Sequence, residues 1–206
     1  MYRKTYFCVC DGQQEEMYLK HVAFLLKDFP ERVVTFNTTQ GSTERLKKNY
    51  TEYDNAALFD YDFKDMKFRQ NILICEQLQR KSSRENGKNV YHAYSNVNID
   101  LWFILHKEYF NRPVASNDAY VADVRRIYGL SREADIKEKA NIDRILRQIT
   151  LDDVKYAIRR AEQIRAGKLK SDCFMVGNVI CYGNPDFSLH EFLKVVLRNC
   201  GKWNCC

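Results

Sequence analysis

Strands alternating with helices through the first half of the chain predict an α/β protein: a parallel sheet covered by helices, with a mostly helical C-terminal extension. Short apolar runs recur between stretches of helical period. Those stretches are long enough to serve as crossover connections between parallel strands. After Pro113 the strand signals give way to helical ones. We place the α/β part at residues 1–114 and the mainly helical part, packed on it, at 115–206; the two form either two units or one compact domain.

Thr5 to Cys10 reads as a strand, and Asp11-Gly12-Gln13-Gln14 as a turn. Glu15 opens a helix whose inward stripe is Tyr18, Val22, Leu25 and Phe29, stopped by Pro30. Arg32 to Phe36, rich in β-branched residues, is a second strand, and Ser42 or Thr43 caps a helix reaching to about Tyr50. Ala56 to Phe59 is a buried strand. A long helix follows, with Phe68, Ile72 and Cys75 inward, and it is expected to fray into a polar, basic loop from Arg80 to Lys88. Asn89 to Tyr94 is the fourth strand. Asn98 then caps a helix running from Ile99 to about Phe110, apolar almost all round and therefore central.

Beyond Pro113, a helix from Asp118 to Tyr128 ends at Gly129, and a charged segment spans Arg132 to Gln148. Thr150-x-x-Asp153 reads as a capping box for a helix with Val154, Ala157, Ala161 and Ile164 inward, closed by Gly167. Phe174 to Tyr182 reads as one late strand. Asn184-Pro185 breaks the chain before a final helix carrying Phe192, Val195 and Val196.

The chain of 206 residues can bury one sizeable core, and its 45% hydrophobic and 13% aromatic content excludes a disordered chain. A net charge of +6 permits a polyanionic partner without requiring one. Of the 8 cysteines, Cys8, Cys10, Cys75, Cys173 and Cys181 sit in apolar contexts and read as small hydrophobes, with no CxxC pair for zinc. Cys205-Cys206 makes no prenylation box and reads as a loose tail. With no signal peptide and no membrane-spanning run, the expected setting is a reducing cytoplasm.

The chemistry concentrates where strands end. In a parallel sheet Asp11, Asp60 and Ser95 share the carboxyl edge, the ligand-binding edge of open α/β sheets. Asp60 and Asp62, one residue apart, repel unless a cation or protons compensate. With Asp11, and with Glu15 or Glu16 one turn into the first helix, they form a hard oxygen set that suits Mg²⁺ or Mn²⁺. Any one of these acids alone is better explained as a helix cap. For three at one edge the metal site is favoured. Asp100 lies in the first turn of its helix, where ligation and a plain dipole effect weigh equally. His106 shares a face with Trp102 and Phe103, where a hydrogen-bonded core histidine is commoner than a base. Basic residues cluster at Arg80, Lys81, Arg84 and Lys88, and again around Arg159 and Arg160. Such runs are usually solvated faces, but one should hold the phosphate backbone if the substrate is nucleic acid.

Together these motifs resemble the Toprim domain of topoisomerases, primases and overcoming-lysogenization-defect nucleases. More closely they resemble the RloB family, Toprim proteins found with phage-defence genes. Cys10-Asp11-Gly12-Gln13-Gln14-Glu15-Glu16 is similar to that family's Cys-Glu-Gly-x-x-Thr-Glu turn, and Phe59-Asp60-Tyr61-Asp62 to its Phe-Asp-x-Asp. Ser95 to His106 is similar to its Ser-Asn-Pro-x-Phe-Glu-x-Trp-x-x-x-His segment, and Asn184-Pro185-Asp186-Phe187-Ser188 to its late Asn-Pro-x-Thr. The sequence departs from the pattern at Asp11 and Asp100, where the family has Glu, at Val97, where it has Pro, and at Glu15, where it has Thr.

The resemblance implies a Toprim-like fold and a metal-dependent nuclease acting in antiphage defence on nucleic acid, RNA such as tRNA favoured over DNA; a partner ATPase of a defence system is a candidate partner, and with no spanning run no membrane is expected. On this reading Asp11, Asp60 and Asp62 hold Mg²⁺ or Mn²⁺, Glu16 and Asp100 assist directly or through water, and His106 orients or deprotonates the attacking water. One alternative is a catalytically silent Toprim module that binds nucleic acid or the ATPase. Another is a phospho-acceptor domain with Asp60 as acceptor and Ser95 as switch hydroxyl, but its paired acid and late lysine are not evident.

Overall fold

A computed structural model describes residues 2–27, 32–85 and 87–203. The expected helix stop at Phe29-Pro30, the loop residue Asn86 and the terminal Cys205-Cys206 lie outside the described residues. In chain order the elements are β1 (Tyr2–Cys10), α1 (Gln13–Leu25), β2 (Arg32–Gln40), a 3-10 turn (Thr43–Lys48), β3 (Asp54–Asp60), α2 (Asp65–Glu85), β4 (Val90–Asn96) and α3 (Ile99–Lys107). They continue with α4 (Val121–Tyr128), α5 (Lys139–Leu146), α6 (Leu151–Ala166), β5 (Cys173–Val176), β6 (Val179–Tyr182), β7 (Asp186–Phe187) and α7 (Leu189–Asn199).

The main sheet has the order β2-β1-β3-β4-β7, with the first four strands parallel and β7 antiparallel to β4. This is the expected α/β architecture. The period of two divides the strand side chains between two cores. Tyr6, Cys8 and Cys10 of β1 and Ala56 and Leu58 of β3 face the core built with α1 and α3 to α7. Val9, Ala57 and Phe59 face the smaller core under α2, the 3-10 turn and the β5–β6 hairpin.

α3 is buried on every side because it packs against β4, α4 and α6 at once. Its Trp102 meets the rings of Tyr18, His106 and Phe187. The larger core runs without interruption past residue 114: it joins Tyr6 and Leu19 to Ile142, Ala161 and Phe192. The predicted capping box at Thr150 and Asp153 is present.

Four expectations need correction. The basic stretch from Arg80 is helix as far as Glu85, not loop. α2 is helical to Glu85, its last turns supported by Glu76–Arg80 and Lys81–Glu85 pairs, and Gly87 beyond it has a φ of +68°, the left-handed conformation that ends helices. The single late strand is a hairpin, β5 and β6, turned at Gly177 with φ +59°. α3 stops at Lys107 rather than near Phe110, with Glu108 extended. Cys173 is exposed, unlike Cys8, Cys10, Cys75 and Cys181.

Strand β7 carries no sequence signal because it has only two residues. A buried polar cluster holds it in place. Asp186 accepts from the Tyr94 hydroxyl and the Tyr182 N–H and pairs with the Arg165 guanidinium, while the Ser188 hydroxyl accepts from the Tyr94 N–H.

Candidate metal centre

The carboxyl edge of β1 and β3 opens into a cavity of about 270 Å³ lined by Asp11, Gly12, Gln13, Gln14, Glu15, Asp60, Asp62 and Lys137. Sheet register places the first acids: Cys10 pairs with Leu58, and the Asp11 N–H donates to the Leu58 carbonyl at 2.9 Å. Asp60 is the last residue of β3, opposite Ser95 of β4. Asp62 follows through a turn in which the Val97 carbonyl accepts from both the Tyr61 and Asp62 N–H groups at 3.0 Å. Asp62 and Phe63 have φ of +49° and +54°. That conformation is tolerable for Asp but costs a bulky Phe about 1–3 kcal/mol. Packing of the Tyr61 ring against Phe63 and Phe68 holds the turn.

α1 begins at the cavity with Gly12 as N-cap, so Glu15 is its third residue. A Cβ on Gly12 would stand 3.1 Å from Glu15 Oε2, and a bare glycine leaves the carboxylate room to lie back over the helix start. Gln14 donates to Asp100 Oδ1 at 3.1 Å, tying α1 to the first turn of α3, and Asn98 caps α3 by accepting from the Asp100 N–H.

Crowding and burial make this a costly place for negative charge. Burial raises the Glu15 carboxyl to about 7, reinforced by Asp11 and Asp100 and opposed by the backbone N–H groups of Glu15 and Gly12. Burial likewise lifts Asp60 well above the carboxylate range, helped by Glu15, Asp62 and Asp100, while the Ile99 N–H pulls the other way. Asp100 rises to about 6 through burial, against the Gln14 hydrogen bond and the Lys137 charge. Glu15 Oε2 and Asp60 Oδ1 are buried with no hydrogen-bond partner among the described residues. Two orphaned carboxylate oxygens in an all-oxygen set fit a hard divalent cation such as Mg²⁺ or Mn²⁺. As the side chains stand, no three acids, histidines or cysteines among the described residues are gathered tightly enough to enclose an ion.

The structure sets Asp11, Asp60 and Asp62 around one cavity, with Asp100 tied to its Gln14 wall from behind. It does not bring Glu16 or His106 there. Glu16 points to the β2 side, where Lys20, Gln40 and Thr38 donate to it and hold its carboxyl below the usual range. Glu15 is the inward acid, and the signal was in the spacing: positions 15, 18 and 22 form one helical stripe with buried Tyr18 and Val22, whereas 16 lies off it.

His106 is buried at the far end of α3, its Nδ1 against the Trp102 carbonyl at 2.8 Å and its Nε2 3.1 Å from the Tyr18 hydroxyl. Burial lowers it to about 3, so it is neutral and fully occupied in the core.

Lysines line the rim. Lys67 pairs with Asp11 and Lys64 with Asp62, while Lys137 reaches the cavity from the segment before α5. Sequence reading missed all three, and for Lys137 no local signal existed, because only the fold brings it there. Arg80, Lys81 and Arg84 belong to the last turns of α2 with Lys88 just beyond, at the opposite edge of the sheet from Asp60. Arg160 donates to the Leu105 carbonyl and Arg159 lies over the Trp203 ring.

Neither a curated protein nor a solved structure matches this chain. The family model described as RloB-like protein matches residues 6–185, a span that includes every acid of the cavity and the Asn184-Pro185 turn, and the chain belongs to the RloB-like family.

Proposed function

We propose that this protein is a metal-dependent nuclease with a Toprim-like centre. It cleaves phosphodiester bonds, RNA such as tRNA favoured over DNA, in antiphage defence alongside a partner ATPase. The observation that carries the reading is the meeting of Asp11, Glu15, Asp60 and Asp62 in one cavity, two of them with unpartnered buried oxygens. RNA, defence and the ATPase rest on the family resemblance alone.

Asp11, Asp60 and Asp62 would hold Mg²⁺ or Mn²⁺, with Glu15 taking the place expected of Glu16. When bound, the ion would polarise a phosphoryl oxygen and lower the pKa of a water. The chain's own part is positional. Ile99 and the N-terminus of α3 orient Asp60, Gln14 orients Asp100, and the Val97 carbonyl fixes the Asp62 turn.

The Lys67–Asp11 ion pair favours one alternative, a silent module that binds nucleic acid without cutting it. A single experiment separates the two. Mixed cellular RNA and plasmid DNA are incubated with the protein in Mg²⁺ or Mn²⁺ and the new ends mapped. Asp60→Asn with Asp62→Asn should lower cleavage at least about 100-fold. Cleavage unchanged in the double variant defeats the metal site, and binding without cleavage by the native protein in either metal establishes the silent module.

A further inference from the structure

The cavity's three lysines are not equivalent. Lys64 and Lys67 are engaged by Asp62 and Asp11, whereas the Lys137 ammonium has no ion pair or hydrogen bond among the described residues. Its backbone is nonetheless firmly placed. The Lys137 N–H donates to Asp135 Oδ1 at 2.9 Å, Asn141 donates to the Asp135 carbonyl, and the Arg125 guanidinium grips the Ala134 carbonyl at 2.6 and 2.9 Å. Ile136 is buried beside it. A braced loop thus holds an uncommitted cation at an acidic cavity.

Lys137 also lines a second, adjoining cavity of about 550 Å³, whose walls include Val121, Ala122, Ile136, Asp118 and Arg125. Lys137 is the residue shared by the two. The chemistry of the walls distributes a nucleotide between them. In the second cavity the carboxylates of Asp118, Glu133 and Asp135 outweigh the Arg125 guanidinium, which the Ala134 carbonyl already engages, so the walls disfavour a phosphate, while their apolar patches and acceptor oxygens suit a base with its N–H edge. At the seam, a free ammonium suits a phosphate oxygen.

We infer that Lys137 holds the phosphate of a single strand beside the acid cavity, with the adjacent nucleotide seated in the second cavity. This rests on the nuclease reading and adds to it the route of the strand and the residue that positions it.

The test is binding of a labelled single-stranded RNA oligonucleotide to the full chain in Ca²⁺, followed across a salt series. Lys137→Ala should weaken binding about 5- to 10-fold and lower the salt slope by close to one contact, and Lys137→Arg should restore both. Ala122→Trp, which fills the second cavity, should weaken binding while leaving the salt slope intact. Native binding that is unchanged in Lys137→Ala overturns the phosphate contact, and native binding unchanged in Ala122→Trp overturns the nucleotide seat. If the native protein neither binds nor cleaves any nucleic acid, the nuclease reading itself falls, which the variants alone would not produce.

Discussion

The Lys67 ammonium stands 2.8 Å from both carboxylate oxygens of Asp11, so that acid is already neutralised by a residue of the same chain. Both partners are partly exposed, and such pairs contribute only about 0.2–1 kcal/mol. On the proposed reading a divalent ion would displace Lys67 at the expense of that modest energy. Lys67→Ala should tighten Mn²⁺ binding by up to about 5-fold, the equivalent of 1 kcal/mol. A Mn²⁺ titration followed by electron paramagnetic resonance measures it, and weaker binding in the variant would show that Lys67 supports the site rather than competing for it.

The cavity's acids lower stability at neutral pH. Asp100 has its carboxyl raised from 3.8 to about 6 by burial. Its ionised form is disfavoured in the folded state, so stability falls as pH rises from about 4 to about 6 and stays low above that. The rise corresponds to roughly 3 kcal/mol. Asp100→Asn keeps an acceptor for Gln14 and should melt several degrees higher than the native protein at pH 7.5 in EDTA. The gain should vanish near pH 4 and shrink when Mg²⁺ is added. Equal melting temperatures at pH 7.5 would mean that the carboxylate carries no penalty.

The fold was legible because its signals are local: alternating apolar runs, caps at Asn98 and Thr150, and a uniformly apolar α3. The strand-end acids followed from the parallel sheet. What escaped was set by distant partners. β7 exists because Asp186 finds Tyr94 and Arg165, not because two residues prefer to be a strand. Lys137 reaches the acids across more than seventy positions of sequence. His106 was visible as a ring on an apolar face, but only the Tyr18 hydroxyl and the Trp102 carbonyl reveal that both nitrogens are spoken for.

That occupancy predicts a structural histidine. Nδ1 faces a carbonyl and must carry the hydrogen, leaving Nε2 to accept from Tyr18. His106→Leu strands both partners and should cost about 1–3 kcal/mol, while cleavage per folded molecule stays within about 3-fold. Burial holds His106 at about 3, against roughly 6.5 when unfolded. The unfolded chain thus takes up a proton that the folded one refuses. His106 should weaken the native fold by about 1.4 kcal/mol per pH unit from 6.5 down towards 3, and this share of the acid sensitivity should disappear in the variant. Urea titrations at pH 5 and 7.5 read it. A 100-fold loss of cleavage in a well-folded variant would return His106 to the chemistry.

The basic end of α2 makes a contrasting case. A helix of 21 residues spans about 30 Å, so Arg80, Lys81 and Arg84 lie far from the Asp65 end that adjoins the acids. Arg80 pairs with Glu76, and Lys81 sits over the Tyr50 ring beside Glu85. A strand of about three nucleotides held at Lys137 would not span that distance. Arg80→Ala with Lys81→Ala and Arg84→Ala should change single-turnover cleavage of an RNA of about three nucleotides by less than about 2-fold, because charges well beyond the roughly 10 Å screening length contribute little at 0.1 M salt. The same triple variant is compared on intact tRNA, where a folded substrate is long enough to touch both edges. A 10-fold loss on the short strand would place the phosphate track along α2 and away from Lys137.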